Sequence, residues 1–294
     1  MRRHFTYLRP ETAAEAVQMK ADLDARARYW AGGTDLLLQW RRGEREFDCC
    51  IDLTFIDGLD RIDVADGKLR IGALVTLAQL ERATDAHPFA AYLASVARVM
   101  CTPQTRTLAT VGGNLCNASP AADLAPPLMA LDGEVRLLGT GGERLIPLDG
   151  FFTGVNTTAA SDAELLLGIH VPLAPERTTG FRRVGRTSVD VALVVAAATL
   201  ARNGGNRVGA ARIALGSVSP TPIRCRAAEE LLADADAGQL DSLIAQAARL
   251  AAEATEPISD VRTTAAYRTE VSRVLVERAL TAAASELRAE GGRP

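Results

Sequence analysis

The stretch TLATVGGNLCNASPAADLAP, Thr107 to Pro126, places two adjacent glycines before an amide, Asn114, and reaches an acid, Asp123, through a run of small residues. Glycine reaches backbone angles closed to other residues and has no Cβ to hold a ligand away from the amides. A second such stretch lies upstream, AGGTDL at Ala31–Leu36, again with a glycine pair after an apolar, strand-like residue. Successive amide N–H groups in a turn of this kind form an anion-binding concavity. In the upstream copy a helix follows at once and adds the positive end of its dipole. Two such loops suit a pyrophosphate, whose oxygens sit on two phosphorus atoms. Asp123 would repel that anion and fits better on its far side, accepting from ribose hydroxyls. Asn114 can donate and accept, which suits a phosphate or carbonyl oxygen. Neither G-x-G-x-x-G nor G-x-x-x-x-G-K-[ST] occurs. Their absence weighs against the usual nicotinamide and ATP sites and leaves room for a flavin held in another fold.

Around these loops the pattern is mixed. Phe5–Pro10 reads as a strand. The segment ETAAEAVQMKADLDA reads as a helix, with Ala13, Ala16, Val17 and the stem of Lys20 on one face. ARYW is a short strand, and the helix after Ala31–Leu36 has Thr34 or Asp35 as its N-cap and Gly43 as its stop. FDCCIDLT closes a small α/β unit. From Ile56 a second unit begins, with a strand and a Thr76-capped helix in LRIGALVTLAQLERA. Strands follow at EVRLLGT and ERLIPL about a turn at 139–142, then at FFTG and ELLLGIHVP. LAPERTTG, Leu173–Gly180, is the best boundary. Beyond it, ALVVAAATLARN and GNRVGAARIALGSVSPTPIR read as two antiparallel strands turned at Asn203–Asn206. Two helical stretches, 227–254 and 264–289, come after them. Strands first and helices after describe an α+β layout.

The 294 residues are 48% hydrophobic with a net charge of −3, enough for a large core and too little positive charge for a phosphate-backbone footprint. Nucleic acid is therefore not an expected partner. The longest apolar run, Val191–Ala201, is about half of what a bilayer crossing needs. The basic start lacks the apolar stretch of a signal peptide. Five cysteines without a C-x-x-C imply a reduced, cytoplasmic compartment and no metal site in this chain.

The combination of these segments in this order resembles the FAD-binding medium subunit of the molybdenum hydroxylases, the family of xanthine dehydrogenase and carbon monoxide dehydrogenase. AGGTDLL is similar to the family's first flavin loop and ATVGGNLCNASPAADLAPPLMALD to its second. FFTGVNTTAASDAELLLGIHVP resembles the end of the flavin domain. FRRVGRTSVDVALVVAAA, ARIALGSVSPTPIR and PISDVRTTAAYRTEVSRVLVERAL resemble the C-terminal domain. The resemblance implies a two-subdomain α/β FAD-binding domain of the PCMH type over 1–175 (subdomains about 1–55 and 56–175). A C-terminal antiparallel sheet with helices, of the CO dehydrogenase flavoprotein type, would follow over 178–290, with FAD in the cleft between the domains.

By the same resemblance Ala31, Gly32, Gly33, Thr34, Asp35 and Leu36 cradle the pyrophosphate, with Tyr29 and Trp30 leading in. Thr110, Val111, Gly112, Gly113 and Asn114 form the opposing loop, and Asp123 holds the adenosine ribose. Leu166 packs on the adenine side, and Arg182 falls near the flavin ring, with Arg183 and Arg186 close enough to take its place. No residue of this chain is expected to act as a catalytic base or nucleophile, because the flavin does the redox chemistry and the protein orients it. The implied role is electron transfer, from an iron–sulfur subunit carrying [2Fe-2S] clusters, itself fed by a large subunit with the molybdenum cofactor, to NAD⁺, oxygen or a quinone. The implied assembly is most simply a dimer of heterotrimers. The alternative is a self-contained FAD oxidoreductase of the same superfamily. His170 reads as a strand histidine, and His4 and His87 as surface residues.

Overall fold

The computed structural model describes residues 4–174, 176–203 and 207–290. Its elements begin with β1 (Thr6–Leu8), α1 (Ala13–Leu23), β2 (Ala27–Trp30), α2 (Leu36–Arg42) and β3 (Cys49–Asp52). Then come β4 (Ile62–Ala65), β5 (Lys68–Gly72), α3 (Leu77–Arg82), α4 (Pro88–Arg98), α5 (Pro103–Arg106), α6 (Val111–Asn117) and α7 (Ala125–Ala130). β6 (Glu134–Gly139), β7 (Gly142–Pro147), β8 (Phe152–Gly154), β9 (Thr157–Thr158) and β10 (Leu165–Pro172) follow. The chain ends with β11 (Arg177–Val184), β12 (Val194–Arg202), β13 (Val208–Gly216), β14 (Ile223–Arg224), α8 (Arg226–Leu232), α9 (Leu240–Glu253) and α10 (Ala265–Glu290).

The chain divides into two compact units. One comprises 1–117 and 134–171, the other 118–133 and 172–294. This differs from a simple division near residue 175, because the segment carrying Asp123 and α7 belongs to the second unit.

In the first unit, β1 and β2 both run parallel to the central β3. The strand–helix–strand path that sequence patterning predicts is therefore present. Thr12 caps α1 by accepting from the Glu15 amide, and α1 buries Ala16, Val17 and Lys20. A capping helix of this kind shields the small parallel sheet, which needs both faces covered. The five-stranded sheet of this unit runs β4-β5-β10-β6-β7, so the apolar β10 lies in its centre. α3 begins with the full Thr76–Gln79 capping box. Sequence reading passed over α4, although Pro88 at its start and the His87 imidazole accepting from the Phe89 amide are ordinary start signals. His87 is thus half-buried and structural rather than a free surface residue.

In the second unit, β11, β12, β13 and β14 form an antiparallel sheet. Val194, Ala196, Ala198 and Leu200 of β12 join a core with Ile213 and Leu215 of β13, Ile244 and Ala248 of α9, and Leu280 and Ala284 of α10. The expected strand pair is present, and its turn at 204–206 lies outside the described residues. β11 starts at Arg177, inside the stretch expected as linker. The first expected helix is two, α8 and α9. The second, α10, runs unbroken for 26 residues.

Candidate cofactor site

A cavity of about 610 Å³ opens in the first unit, and residues of both glycine stretches line it. Tyr29, Ala31, Gly32, Gly33, Thr34, Asp35 and Leu36 contribute one wall. Thr110, Gly112, Gly113 and Asn114 contribute another, with Leu166 of β10 nearby. Two expected residues are not in the wall. Val111 is fully buried, and Trp30 lies behind the loop against Gly33.

The first stretch follows the carboxyl end of β2, where open α/β sheets take their ligands. It turns at Gly33, whose φ is +66°, before α2 begins. A Cβ there would also stand 2.3 Å from the Trp30 ring, so glycine is required twice over. Among the described residues, the backbone N–H groups of Gly33, Thr34, Asp35 and Leu36 meet no acceptor in the protein. Donors left free at the start of a helix are ones an anion can meet.

The second stretch behaves otherwise. Val111–Asn117 is not a loop but the helix α6, and its first amides are already used. Val111 donates to the Val75 carbonyl at 2.9 Å and Gly112 to Ala73 at 2.8 Å. Asn114 donates to the Thr110 carbonyl, while Thr110 Oγ1 accepts from Gly113 as an N-cap does. The expectation of a second concavity of bare amides is therefore overturned. The segment 73–76 and the Thr110 side chain occupy those donors. What this stretch presents instead is a side chain. Asn114 Oδ1 is shielded from solvent and has no hydrogen-bond partner among the described residues. A buried acceptor left unmet costs about 1–3 kcal/mol, which a ligand donor would recover.

The two stretches touch. Gly32 approaches the Leu108 carbonyl, and Gln39 of α2 donates to Asn117 Oδ1 of α6 at 3.0 Å. Asn156 in turn donates to the Asn117 carbonyl.

Sequence reasoning missed a charged wall. Lys20, only 2% exposed, donates from Nζ to the Asp24 carbonyl and pairs with Asp162. The stem lies on the buried face of α1 as its spacing implies, and the ammonium is buried with it. Arg28 reaches Asp162 at 3.6 Å, and its Nε is buried without a partner. The Tyr29 hydroxyl donates to the Ala163 carbonyl, and burial, with the Asp162 charge, raises its pKa. Lys20 and Asp162 lie 142 positions apart, so no local spacing pairs them.

Asp123 and Arg182 lie in the second unit. Asp123 is 8% exposed, and Arg183 Nε donates to its Oδ1 at 2.8 Å. Burial raises its pKa, and Arg183 opposes that rise. Oδ2 has no partner among the described residues. Arg182 is exposed and donates to the Phe181 carbonyl, so Arg183 rather than Arg182 faces the acid.

Residues 3–174 match the FAD binding domain in molybdopterin dehydrogenase, and residues 179–283 match the CO dehydrogenase flavoprotein C-terminal domain. The chain belongs to the family of FAD-binding subunits of the molybdenum hydroxylases. It is 33% identical over 229 residues to the xanthine dehydrogenase FAD-binding subunit of Escherichia coli O157:H7, covering 76% of this chain and 78% of that one. It is 30% identical to the carbon monoxide dehydrogenase medium chain of Hydrogenophaga pseudoflava over 95% and 96% of the two chains. A solved structure of the Hydrogenophaga pseudoflava carbon monoxide dehydrogenase, lacking the Mo-pyranopterin moiety of its molybdenum cofactor, matches with a TM-score of 0.91 over 97% of this chain and 99% of that one, at 30% identity. Quinoline 2-oxidoreductase from Pseudomonas putida 86 matches with a TM-score of 0.88 at 29% identity, over 98% and 99%. The chain is thus an oxidoreductase subunit with an FAD-binding domain. Among the described residues no helix is long and apolar enough to cross a membrane.

Proposed function

We propose that this chain is the electron-transferring FAD subunit of a cytoplasmic molybdenum hydroxylase. In this reading the unpartnered amides of Gly33–Leu36 bind the diphosphate, and that run of free donors is the observation that carries the proposal. Asn114 supplies a shielded acceptor beside them, and Leu166 with Tyr29 offers an apolar face to the adenine. Gly33 lets the backbone itself, rather than a side chain, meet the phosphates.

When bound, FAD supplies the redox chemistry between an iron–sulfur subunit and an external acceptor such as NAD⁺, oxygen or a quinone. This chain's residues bind and orient it. Among the described residues there is no cluster of metal-ligating side chains. The proposed partners are an iron–sulfur subunit and a molybdenum-binding large subunit, in a dimer of heterotrimers. Relatives named as medium chains of carbon monoxide dehydrogenases support that reading.

The purified protein, alone or with its partners, is expected to carry one non-covalent FAD, released intact on denaturation. Release of a flavin without the adenylate half would defeat the diphosphate assignment. Co-purification with a cysteine-rich subunit and a molybdenum subunit would support the assembly. Turnover of an organic substrate by the chain alone would favour a self-contained oxidoreductase instead.

A further inference from the structure

We infer that Trp30 is a positioning residue for the amide cradle, acting from behind the loop through Gly33 rather than by touching the ligand. The inference rests on the reading that the Gly33–Leu36 amides take the diphosphate.

Atoms of the indole's six-membered ring lie directly against Gly33. A Cβ built there would stand 2.3 Å from Cζ2, 2.8 Å from Cε2 and 2.9 Å from Cη2. Gly33 holds a left-handed conformation at this contact, and the unpartnered donors run on from it. Trp30 does not line the cavity, so it meets Gly33 from outside the cavity wall.

Besides this contact, the loop and the helix after it are held by the approach of Gly32 to Leu108 and by the Gln39–Asn117 hydrogen bond. α2 has seven residues and buries none of them, and its Asp35 N-cap makes no side-chain hydrogen bond. A helix this short is marginal without tertiary support. Beyond the Gln39–Asn117 hydrogen bond, that support includes four aromatic rings. Phe5 packs on Trp30 with centroids 6.1 Å apart and meets Trp40, in the last part of α2, edge-on at 5.1 Å. Phe47 closes the cluster at 5.4 Å from Phe5 and 6.0 Å from Trp40. One ring, Phe5, therefore supports both the entry to the loop and the end of the helix. Binding groups must be held to within about 0.5 Å by neighbours locked in packing, and Trp30 is the neighbour in contact with the turn.

Ordinary core packing would give the same contacts, and ligand discrimination separates the two. The full-length chain, stripped of flavin, is titrated with ADP and with adenosine, whose difference isolates the diphosphate. The wild type is expected to prefer ADP by about tenfold or more, and Trp30→Ala to cut that preference to about twofold with adenosine binding unchanged. Trp30→Phe, which keeps a ring against Gly33, is expected to restore most of it. If Trp30→Ala does not fold, Trp30→Leu replaces it, since it keeps apolar bulk without the ring face. A wild-type ADP preference in the Ala or Leu variant, or an equal loss for both ligands, overturns the inference. A wild type that does not prefer ADP overturns the cradle reading, and this inference with it.

Discussion

Gly32 lies so close to Leu108 that an added Cβ would stand 1.8 Å from the Leu108 carbonyl oxygen and 2.6 Å from its carbon. Both neighbours are backbone and cannot swing aside. The first glycine stretch and the segment leading into α6 are thus in direct contact, 76 positions apart in sequence. Gly32→Ala must push them apart. It is expected to cost about 1–3 kcal/mol of stability, as overpacking does, and to weaken FAD retention. Urea denaturation and flavin content check it, and wild-type values for both would contradict the contact.

Asn114 predicts the opposite pairing of effects. Its Oδ1 is shielded and unmet, so the side chain gives the empty protein little. Asn114→Leu is expected to leave the melting temperature of the flavin-free protein unchanged or raised. FAD affinity should fall about tenfold, the loss of one good hydrogen bond to a ligand. A variant that melts lower yet binds FAD normally would assign Asn114 to the fold alone.

Glu164 sets a pH dependence. The Arg144 hydrogen bonds hold its pKa at about 2; burial opposes them and the Ser161 amide assists. A carboxylate depressed in the folded state contributes stability that is full above its ordinary pKa near 4.5 and is lost as pH falls toward 2. Glu164, Ser161 and the Arg144-bound Ala159 carbonyl all tie down the segment before β10. Stability should therefore fall between pH 4.5 and 2 in the wild type and change less over that range in Arg144→Leu. Parallel pH curves for the two proteins would remove this pair from the account.

Asp132 anchors the second unit. Burial pushes its carboxyl up, but the Arg212 hydrogen bond and the charges of Arg177, Arg212 and Arg224 outweigh burial and leave its pKa below the ordinary value. The contacts are 2.7 Å to Arg212, 3.0 Å to Arg177 and 3.3 Å to Arg224, which is itself 4% exposed. Asp132→Ala leaves the largely buried Arg177 without its carboxylate while Arg224 keeps Glu229, and is expected to cost about 1–3 kcal/mol, as an unmet buried polar group does. A change under about 0.5 kcal/mol, the range of surface substitutions, would show the cluster to be solvated.

Much of this was legible in the sequence, and the failures share one cause. β12 announced itself as a nearly continuous apolar run, and Thr76, Gly43 and Pro172 marked ends by local chemistry. α6 was misread because two glycines argue for a turn. What makes the segment helical is remote, since Ala73 and Val75 accept its first amides. Asp123 falls within the 3–174 family match with the glycine stretches, yet chain order does not reveal that 118–133 packs within the second compact unit. The residue types of the cavity were recognisable, but their roles were not. Trp30 was placed by its neighbours in sequence, while its contact with Gly33 depends on Phe5 and the turn. Lys20, Arg28 and Asp162 meet only through tertiary structure.

The donors of Gly33, Thr34, Asp35 and Leu36 are free to take the diphosphate, while those of Val111–Asn114 are already used within the protein. Amide resonances of the isotopically labelled, flavin-free chain, followed during ADP titration, test it directly. Large downfield shifts are expected at 33–36 and small ones at 111–114. Large shifts at 111–114 with silence at 33–36 would contradict it.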